Sequence, residues 1–196
     1  MIKTVFAALV LVVASAAHAD VYKLDTKAST VGWTASHKVG ATHTGKIAVK
    51  DGEVQTDAKG AITGGTVNID MTTISDEDLK SNPEYQKKLV GHLSSDDFFK
   101  VSKFPTSTFK VTSVTPKSAH EVVIKGDLTI IGTTKPVEFP AKVTTDKGVM
   151  TSEATLKLDR TQWGLKYGSG NFFKELTQDK IINDDFTLSL KLVAKK

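Results

Sequence analysis

The chain has 196 residues, a formal net charge of +4 and no cysteine. Without cysteine, the fold uses neither disulfides nor thiolate metal sites. The lysines are scattered rather than gathered into a basic stripe with interleaved aromatics, which argues against nucleic-acid binding and leaves only a weak attraction to anionic membrane surfaces.

The N-terminus has the pattern of a secretory signal peptide. Lys3 precedes an almost wholly apolar run over residues 4–17, and the small-x-small sequence Ala17-His18-Ala19 comes before Asp20. This run is too short to span a bilayer, and no later segment approaches the length of a membrane helix. We expect a signal peptide over residues 1–19, cleavage after Ala19, a periplasmic or secreted location, and one domain over residues 20–196.

Most of the remaining chain alternates with period two, as strands with one buried face do. From Ser29, the side chains of Val31, Trp33, Ala35 and His37 share one face, and similar runs follow at residues 67–71, 109–111, 122–130, 137–143, 154–158 and 182–192. Turn residues separate the runs at 38–40, 51–52, 64–65, 132–134 and 146–148. Such strands either stack as a sandwich or close on themselves, and the absence of β-α-β alternation excludes a parallel sheet. We expect closure, giving an all-β, extended antiparallel barrel of about eight strands.

One segment breaks the alternation. Residues 75–78 (SDED) combine a capping-box spacing with acids at the start of a helix, and apolar residues then recur at helical intervals at Leu79, Tyr85, Leu89 and Leu93. Pro83 either divides this helix or starts a second one. We expect a short helical segment near residues 76–100, with Phe98 and Phe99 covering one end of the barrel.

Several segments together resemble the YceI-like family. They are residues 22–25 (YKLD) with Val31 and Trp33, His37 with Gly45, residues 92–99 (HLSSDDFF), 103–105 (KFP), 126–130 (GDLTI) and 135–137 (KPV). The tail, with Arg160, Trp163 and Phe172-Phe173, is similar to one branch of that family only. The resemblance implies an exported, lipocalin-like barrel that holds a long apolar or amphiphilic molecule, such as a polyisoprenoid, an isoprenoid quinone or a fatty-acid amide.

Twelve side chains are candidates for contact with such a ligand. They are inward-facing residues of the strands, aromatic residues outside the long alternating runs, and polar residues near strand ends: Trp33, His37, Phe98, Phe99, Phe109, Leu128, Ile130, Phe139, Arg160, Trp163, Phe172 and Phe173. A barrel of this size is either filled by side chains or holds one small ligand. The residues alone favour a dry core of interdigitated large and small side chains, and the family resemblance reverses that preference.

Some of these candidates have an equally simple structural interpretation. The four aromatics Phe98, Phe99, Phe172 and Phe173 either grip an acyl or prenyl chain or pack the helix and a late loop onto the barrel. Arg160 meets a ligand's polar end or, more commonly for an arginine at a strand end, is exposed or ion-paired.

Metal binding and catalysis receive little support. A hairpin at residues 39–40 could place His37 opposite His43, but two ligands do not make a site, so we expect no metal and no cofactor. His92 is interpreted as ordering the loop around Asp96 and Asp97. No nucleophile elbow, zinc-protease motif, phosphate loop or dinucleotide fingerprint is present in the sequence.

The sequence therefore predicts a non-enzymatic binding or carrier protein whose partner is a long apolar ligand. One alternative is an enzyme or accessory protein of isoprenoid or quinone metabolism, with a reactive group such as His37 facing the lumen. Another is a dry barrel that acts through its outer surface. An exposed strand edge or the apolar mouth is a candidate surface for a homodimer, although no residue pattern argues for one.

Overall fold

The structure, a computed structural model, describes residues 19–196; the predicted signal peptide lies outside the described residues except for Ala19. The strands are β1 (Asp20–Leu24), β2 (Thr30–Ser36), β3 (Thr42–Thr56), β4 (Ile62–Asp76), β5 (Thr106–Pro116), β6 (Glu121–Ile130), β7 (Thr133–Asp146), β8 (Val149–Asp159) and β9 (Asp185–Lys195). The helix α1 (Pro83–Ser94) lies between β4 and β5, and a 3-10 turn (Arg160–Trp163) follows β8.

The strands form one closed antiparallel barrel. Their order is β1-β3-β2-β9-β8-β7-β6-β5-β4, and pairing between β3 and β4 closes the sheet. Both β1 and β2 pair with β3 and with β9, so they are two segments of one strand position interrupted at residues 25–29. The barrel thus has eight strand positions, which confirms the predicted all-β barrel with a short helical insertion.

The two ends of the barrel differ in their connections. One end, here called the helix end, carries residues 37–41, the segment 77–105 with α1, residues 131–132 and the long connection 160–184. The other, here called the tight-turn end, carries the short turns 57–61, 117–120 and 147–148. Among residues 19–196, the helix end alone has enough chain outside the sheet to cover the barrel interior.

The helix begins later than the acidic segment predicts. Asp76 is the last residue of β4 and pairs with Gly45, and the Glu77 N–H donates to the Thr44 carbonyl at 2.7 Å. Because β3 takes these backbone hydrogen bonds, residues 75–78 do not cap the helix, and that prediction is wrong. The helix starts at Pro83, where proline is favoured in the first turn, and the Asn82 side chain accepts a hydrogen bond from the Tyr85 N–H.

Two of the predicted turns are also wrong. Residues 51–52 lie inside β3 and residues 64–65 inside β4, which pair with each other. The turn between these strands is at residues 57–61, where the Asp57 side chain accepts hydrogen bonds from the Lys59 and Ala61 N–H groups at 2.9 Å. At Gly65, a β-carbon would lie 2.7 Å from the Glu53 carbonyl oxygen, so the glycine allows a close approach of strands rather than a turn.

Inward side chains fill much of the barrel in the predicted alternation. Val31 and Trp33 of β2 are buried, as are Ile124 of β6, Phe139 of β7 and Leu156 of β8. Three residues of α1 pack against the core cluster around Trp33, namely Leu89, Val90 and Leu93. The helix therefore covers the barrel interior at its own end.

Candidate functional site

Two adjoining apolar cavities lie inside the barrel. The lower cavity, towards the tight-turn end, has a volume of about 120 Å³ and includes Phe109, Leu128 and Phe139 in its wall. The upper cavity, towards the helix end, has a volume of about 110 Å³ and includes Trp33, Phe98, Phe99 and Ile130. The two share Val31, Ile69 and Leu188, so they follow one another along the barrel axis.

Small residues make the room for large aromatic side chains in these walls. At Gly126 a β-carbon would lie 2.3 Å from the ring of Phe109, so only glycine lets that ring lie across β6. The Phe109 ring is tilted against Phe139 with 5.6 Å between centroids. This arrangement places two aromatic faces in the wall of the lower cavity.

A third cavity opens at the helix end and adjoins the upper one. This mouth cavity has a volume of about 460 Å³ and shares Trp33, Leu93, Phe98 and Ile182 with the upper cavity. Its wall comes from β2, from α1 and from the connection 160–184, which together surround the entrance to the barrel interior.

Histidines make the mouth cavity polar at its outer side. His37, His43 and His92 all line it, and each has a partner. His37 Nδ1 lies 3.1 Å from the Asp179 carbonyl oxygen, and His92 Nε2 lies 3.1 Å from an Asp97 carboxylate oxygen, in keeping with the predicted ordering of that loop. The mouth cavity therefore adds polar side chains to a wall that remains largely apolar, whereas the walls of the two inner cavities have very few polar residues.

Arg160 fixes the connection that forms half of the mouth. Its side chain is 5% exposed and lines the upper cavity, and its guanidinium donates to three backbone carbonyls, those of Asn183 (3.0 Å), Leu165 (2.6 Å) and Ile182 (3.0 Å). Burial lowers the pKa of Arg160, while the carboxylates of Asp184 and Asp159 oppose that shift. These hydrogen bonds to the backbone hold the guanidinium in the wall of the upper cavity.

His43 is not opposite His37. The strand register pairs His43 with Ala35, and the His37 N–H donates to the Ala41 carbonyl, so the hairpin is centred on Val39 and His43 lies two residues beyond the partner of His37. The prediction of a cross-strand histidine pair is wrong.

His43 instead meets two carboxyl groups at the end of β4. His43, Asp76 and Asp78 bring potential metal-ligating atoms within 4.8 Å of one another, and within residues 19–196 this is the one cluster of three such residues. Most of these atoms already have hydrogen bonds: Asp76 Oδ1 with the Leu79 N–H, Asp78 Oδ1 with the Thr44 N–H, and Asp78 Oδ2 with His43 Nδ1. Only Asp76 Oδ2 is buried without a partner.

The two carboxyl groups have opposite pKa shifts. Burial, with the nearby Asp78, raises the pKa of Asp76, which is 1% exposed. Burial acts in the same sense on Asp78, but hydrogen bonds from the Thr44 N–H and from His43 outweigh it and lower the pKa of that group. Asp76 therefore keeps its proton to higher pH than Asp78, which relieves the repulsion between them.

The structure brings ten of the twelve candidate ligand-contacting residues to the cavity walls. The lower cavity is lined by Phe109, Leu128 and Phe139, and the upper cavity by Phe99, Ile130 and Arg160. His37 and Phe173 line the mouth cavity. Trp33 and Phe98 line both the upper cavity and the mouth cavity. That any of these residues contacts a ligand stays a prediction.

Two candidates lie away from the cavities. Trp163 is buried behind the wall, and its Nε1 donates to the Leu128 carbonyl at 2.9 Å. Phe172 is 48% exposed on the outer surface, with Lys166 Nζ at 4.5 Å from its ring centroid. The aromatics Phe98, Phe99, Phe172 and Phe173 therefore do not form a single group.

Several wall residues were missed in the sequence. Leu165, Tyr167 and Leu176 come from the connection 160–184 and have no strand or helix period, whereas Ile182 belongs to the predicted run 182–192 but lies before β9 begins at Asp185. The apolar character of this long connection was the available signal.

These features define the class of protein: a closed antiparallel β-barrel with an apolar interior and a lidded mouth at one end. The chain belongs to the YceI-like domain family, whose sequence model matches residues 22–194. Among described residues, no helix is long and apolar enough to cross a membrane.

Relatives and solved structures are similar over most of the barrel. A UPF0312 protein of Shewanella denitrificans is 34% identical over 133 residues, 67% of this chain and 66% of the relative, slightly under two thirds of that protein's length. The crystal structure of Burkholderia cenocepacia BcnA superposes with a TM-score of 0.69 at 21% identity, covering 88% of this chain and 99% of that one. A polyisoprenoid binding domain from Saccharophagus degradans, implicated in plant cell wall breakdown, gives a TM-score of 0.65 at 14% identity, with coverages of 89% and 97%.

Proposed function

We propose that this protein is an exported, non-enzymatic carrier that sequesters one long apolar or amphiphilic molecule, of the polyisoprenoid, isoprenoid quinone or fatty-acid amide type, inside its barrel. The observation that carries the proposal is the succession of three adjoining cavities, two of them apolar and the third polar at its outer side. The similarity to a polyisoprenoid binding domain of Saccharophagus degradans supports the ligand class, and the signal-like N-terminus supports export.

The lining suits an apolar chain without a fixed hydrogen-bonding pattern. Among the residues that line the two inner cavities, only Ser107, Ser152 and Arg160 are polar, and the arginine donates to backbone carbonyls. Burial of apolar surface contributes about 25 cal/mol per Å², so a long chain binds through its area alone. Selectivity then depends on the length and shape of the chain, with a polar end group at the histidines of the mouth.

The test is to identify what the protein carries. The mature protein, purified after export in its native host, is measured by native mass spectrometry and then extracted with organic solvent. A stoichiometric lipid, isoprenoid or quinone supports the carrier. A protein that is empty and takes up neither polyisoprenoids nor fatty-acid amides contradicts it and favours action through the outer surface; turnover of the extracted ligand favours an enzyme.

A matched pair of variants locates the binding site within the barrel. Ala154 lines the lower cavity, while the next residue, Thr155, is exposed on the outer face of the same strand. Ala154→Phe is expected to reduce the amount of ligand retained, because the new ring occupies the cavity, whereas Thr155→Phe is expected to leave it unchanged. Equal retention by the two folded variants contradicts binding in the lower cavity.

A further inference from the structure

Exposed apolar side chains are concentrated at one end of the barrel. Within the described residues, the large apolar side chains that are exposed are Val21, Val39, Tyr85, Tyr167, Phe172 and Phe173. Five of the six lie in the connections of the helix end, and only Val21, in β1, lies towards the tight-turn end. Apolar exposure at the entrance of an apolar cavity is typical of a binding surface.

The backbone holds these side chains outward in a defined arrangement. The N–H groups of Phe172 and Phe173 both donate to the carbonyl of Ser169, a fully buried residue, at 3.1 and 2.9 Å. The Lys38 N–H donates to the Ile181 carbonyl at 2.8 Å, which ties the turn containing Val39 to the same connection. Tyr167 and Phe173 line the mouth cavity, and Val39 and Phe172 are exposed on the segments that these hydrogen bonds join. These four residues are here called the aromatic collar.

Basic side chains are interspersed with the aromatic collar. The turn and the connection contribute Lys38, Lys166, Lys174 and Lys180, against the carboxylates of Glu175, Asp179 and Asp184, the last of which is paired with the buried Arg160. Lys166 lies over the face of Phe172, so its charge and an exposed aromatic ring reach the surface together. Aromatic rings and lysines whose stems lie along apolar surface suit the boundary between headgroups and acyl chains.

We infer that the aromatic collar docks the mouth of the barrel onto anionic phospholipid bilayers. Phe172 and its neighbours enter the headgroup region while the lysines contact lipid phosphates, which brings the mouth cavity against the membrane. The purpose of this contact rests on the proposed function, because a molecule that is insoluble in water is best transferred at a membrane surface. The docking itself is measurable without any carried ligand.

The experiment is vesicle flotation with the mature protein. Vesicles of phosphatidylcholine alone are compared with vesicles that also contain phosphatidylglycerol, at low and at high salt. Binding is expected to the anionic vesicles, and to weaken as salt screens the lysines. Failure to float with anionic vesicles at low salt, or a stable dimer that buries the collar in solution, overturns the inference.

Matched variants separate docking at the collar from general attraction between a basic protein and anionic lipid. Lys166→Gln with Lys174→Gln is expected to weaken binding roughly tenfold or more, because each lysine near the surface contributes. Lys117→Gln with Lys147→Gln makes the same charge change at the tight-turn end and is expected to have little effect. An equal loss in both double variants overturns the inference.

Serine substitutions test the contribution of the apolar side chains of the collar. Phe172→Ser with Val39→Ser, at two positions that line none of the three cavities, is expected to reduce vesicle binding several-fold, and Val21→Ser to leave it unchanged. Ligand retention, measured on the same proteins, separates the two proposals. A protein that carries ligand but does not bind vesicles contradicts the docking inference and leaves the carrier proposal standing. A protein that binds vesicles but is empty contradicts the carrier proposal and leaves the docking inference standing.

Discussion

The indole of Trp33 lies directly over Gly45 on the neighbouring strand. A β-carbon at Gly45 would be 2.5 Å from two atoms of the indole and 1.9 Å from the Ser75 carbonyl oxygen, to which Trp33 Nε1 donates at 3.1 Å. Trp33 lines both the upper and the mouth cavity, so this contact positions the wall that the two cavities share.

Gly45→Ala is therefore expected to destabilise the protein by about 1–3 kcal/mol, the usual cost of overpacking, and to displace Trp33 from the cavity wall. Urea unfolding and tryptophan fluorescence measure the two effects. Gly91→Ala is the control, since a β-carbon there would meet nothing within 4 Å and alanine is favoured in a helix. Equal stability of the two variants would show that the packing around Gly45 relaxes freely.

Arg160→Met is expected to lower the free energy of unfolding by about 3 kcal/mol, because three backbone carbonyls lose a buried donor. The connection 160–184 should then be cleaved faster in limited proteolysis. Lys157→Met, which removes an exposed ion pair with Asp185, serves as the comparison and is expected to change stability by less than about 1 kcal/mol. An Arg160→Met protein with unchanged proteolysis and reduced ligand retention would assign the arginine to the ligand instead.

Asp76 is expected to make the stability of the protein fall as pH rises. Its pKa is raised above the ordinary value of 3.8, so the folded state holds this proton more tightly than the unfolded state. The resulting stabilisation is complete below that value and is lost as pH rises towards the folded-state pKa. Asp76→Asn, which stays neutral, should therefore gain in melting temperature relative to the parent as pH rises above the ordinary value of 3.8.

Asp96→Asn is the control for this measurement, because Asp96 is exposed. A difference between Asp76→Asn and the parent that stays constant with pH would contradict the assignment of the raised pKa to Asp76. The experiment is done with a chelator present, so that proton binding alone is measured.

Stoichiometric zinc uptake is not expected at His43, Asp76 and Asp78. Their ligating atoms are largely used in hydrogen bonds with one another and with the backbone of Thr44 and Leu79. Equilibrium dialysis of the mature protein against zinc checks this. One tightly bound zinc ion that is lost in His43→Gln but kept in His92→Gln would establish a metal site there.

The side of the sheet to which each strand residue belongs could be predicted from the sequence. Val31 and Trp33 are buried as their alternation with Gly32 and Thr34 predicts, and the turn between β7 and β8, at residues 147–148, lies within the predicted range 146–148. Alternation is a local property, because each side chain points opposite to its neighbours whatever the strand pairs with. A single apolar face on every long strand limits the fold to a sandwich or a closed barrel, and the pairing of β3 with β4 closes the sheet.

Only the tertiary structure decided what depends on pairing between distant segments. Glycines at 64 and 65 have the composition of a turn, yet they lie within a strand because β3 approaches β4 closely there. Residues 75–78 have the pattern of a helix cap, yet hydrogen bonds with β3 hold them. Trp163 and Phe172 are both aromatic and near in sequence, but Arg160 and its carbonyl partners fold the connection so that one is buried behind the wall and the other is exposed. The alternation in the sequence therefore determined the strands and their inner face. The mouth depends on hydrogen bonds between residues far apart in the chain, which leave no periodic pattern in the sequence.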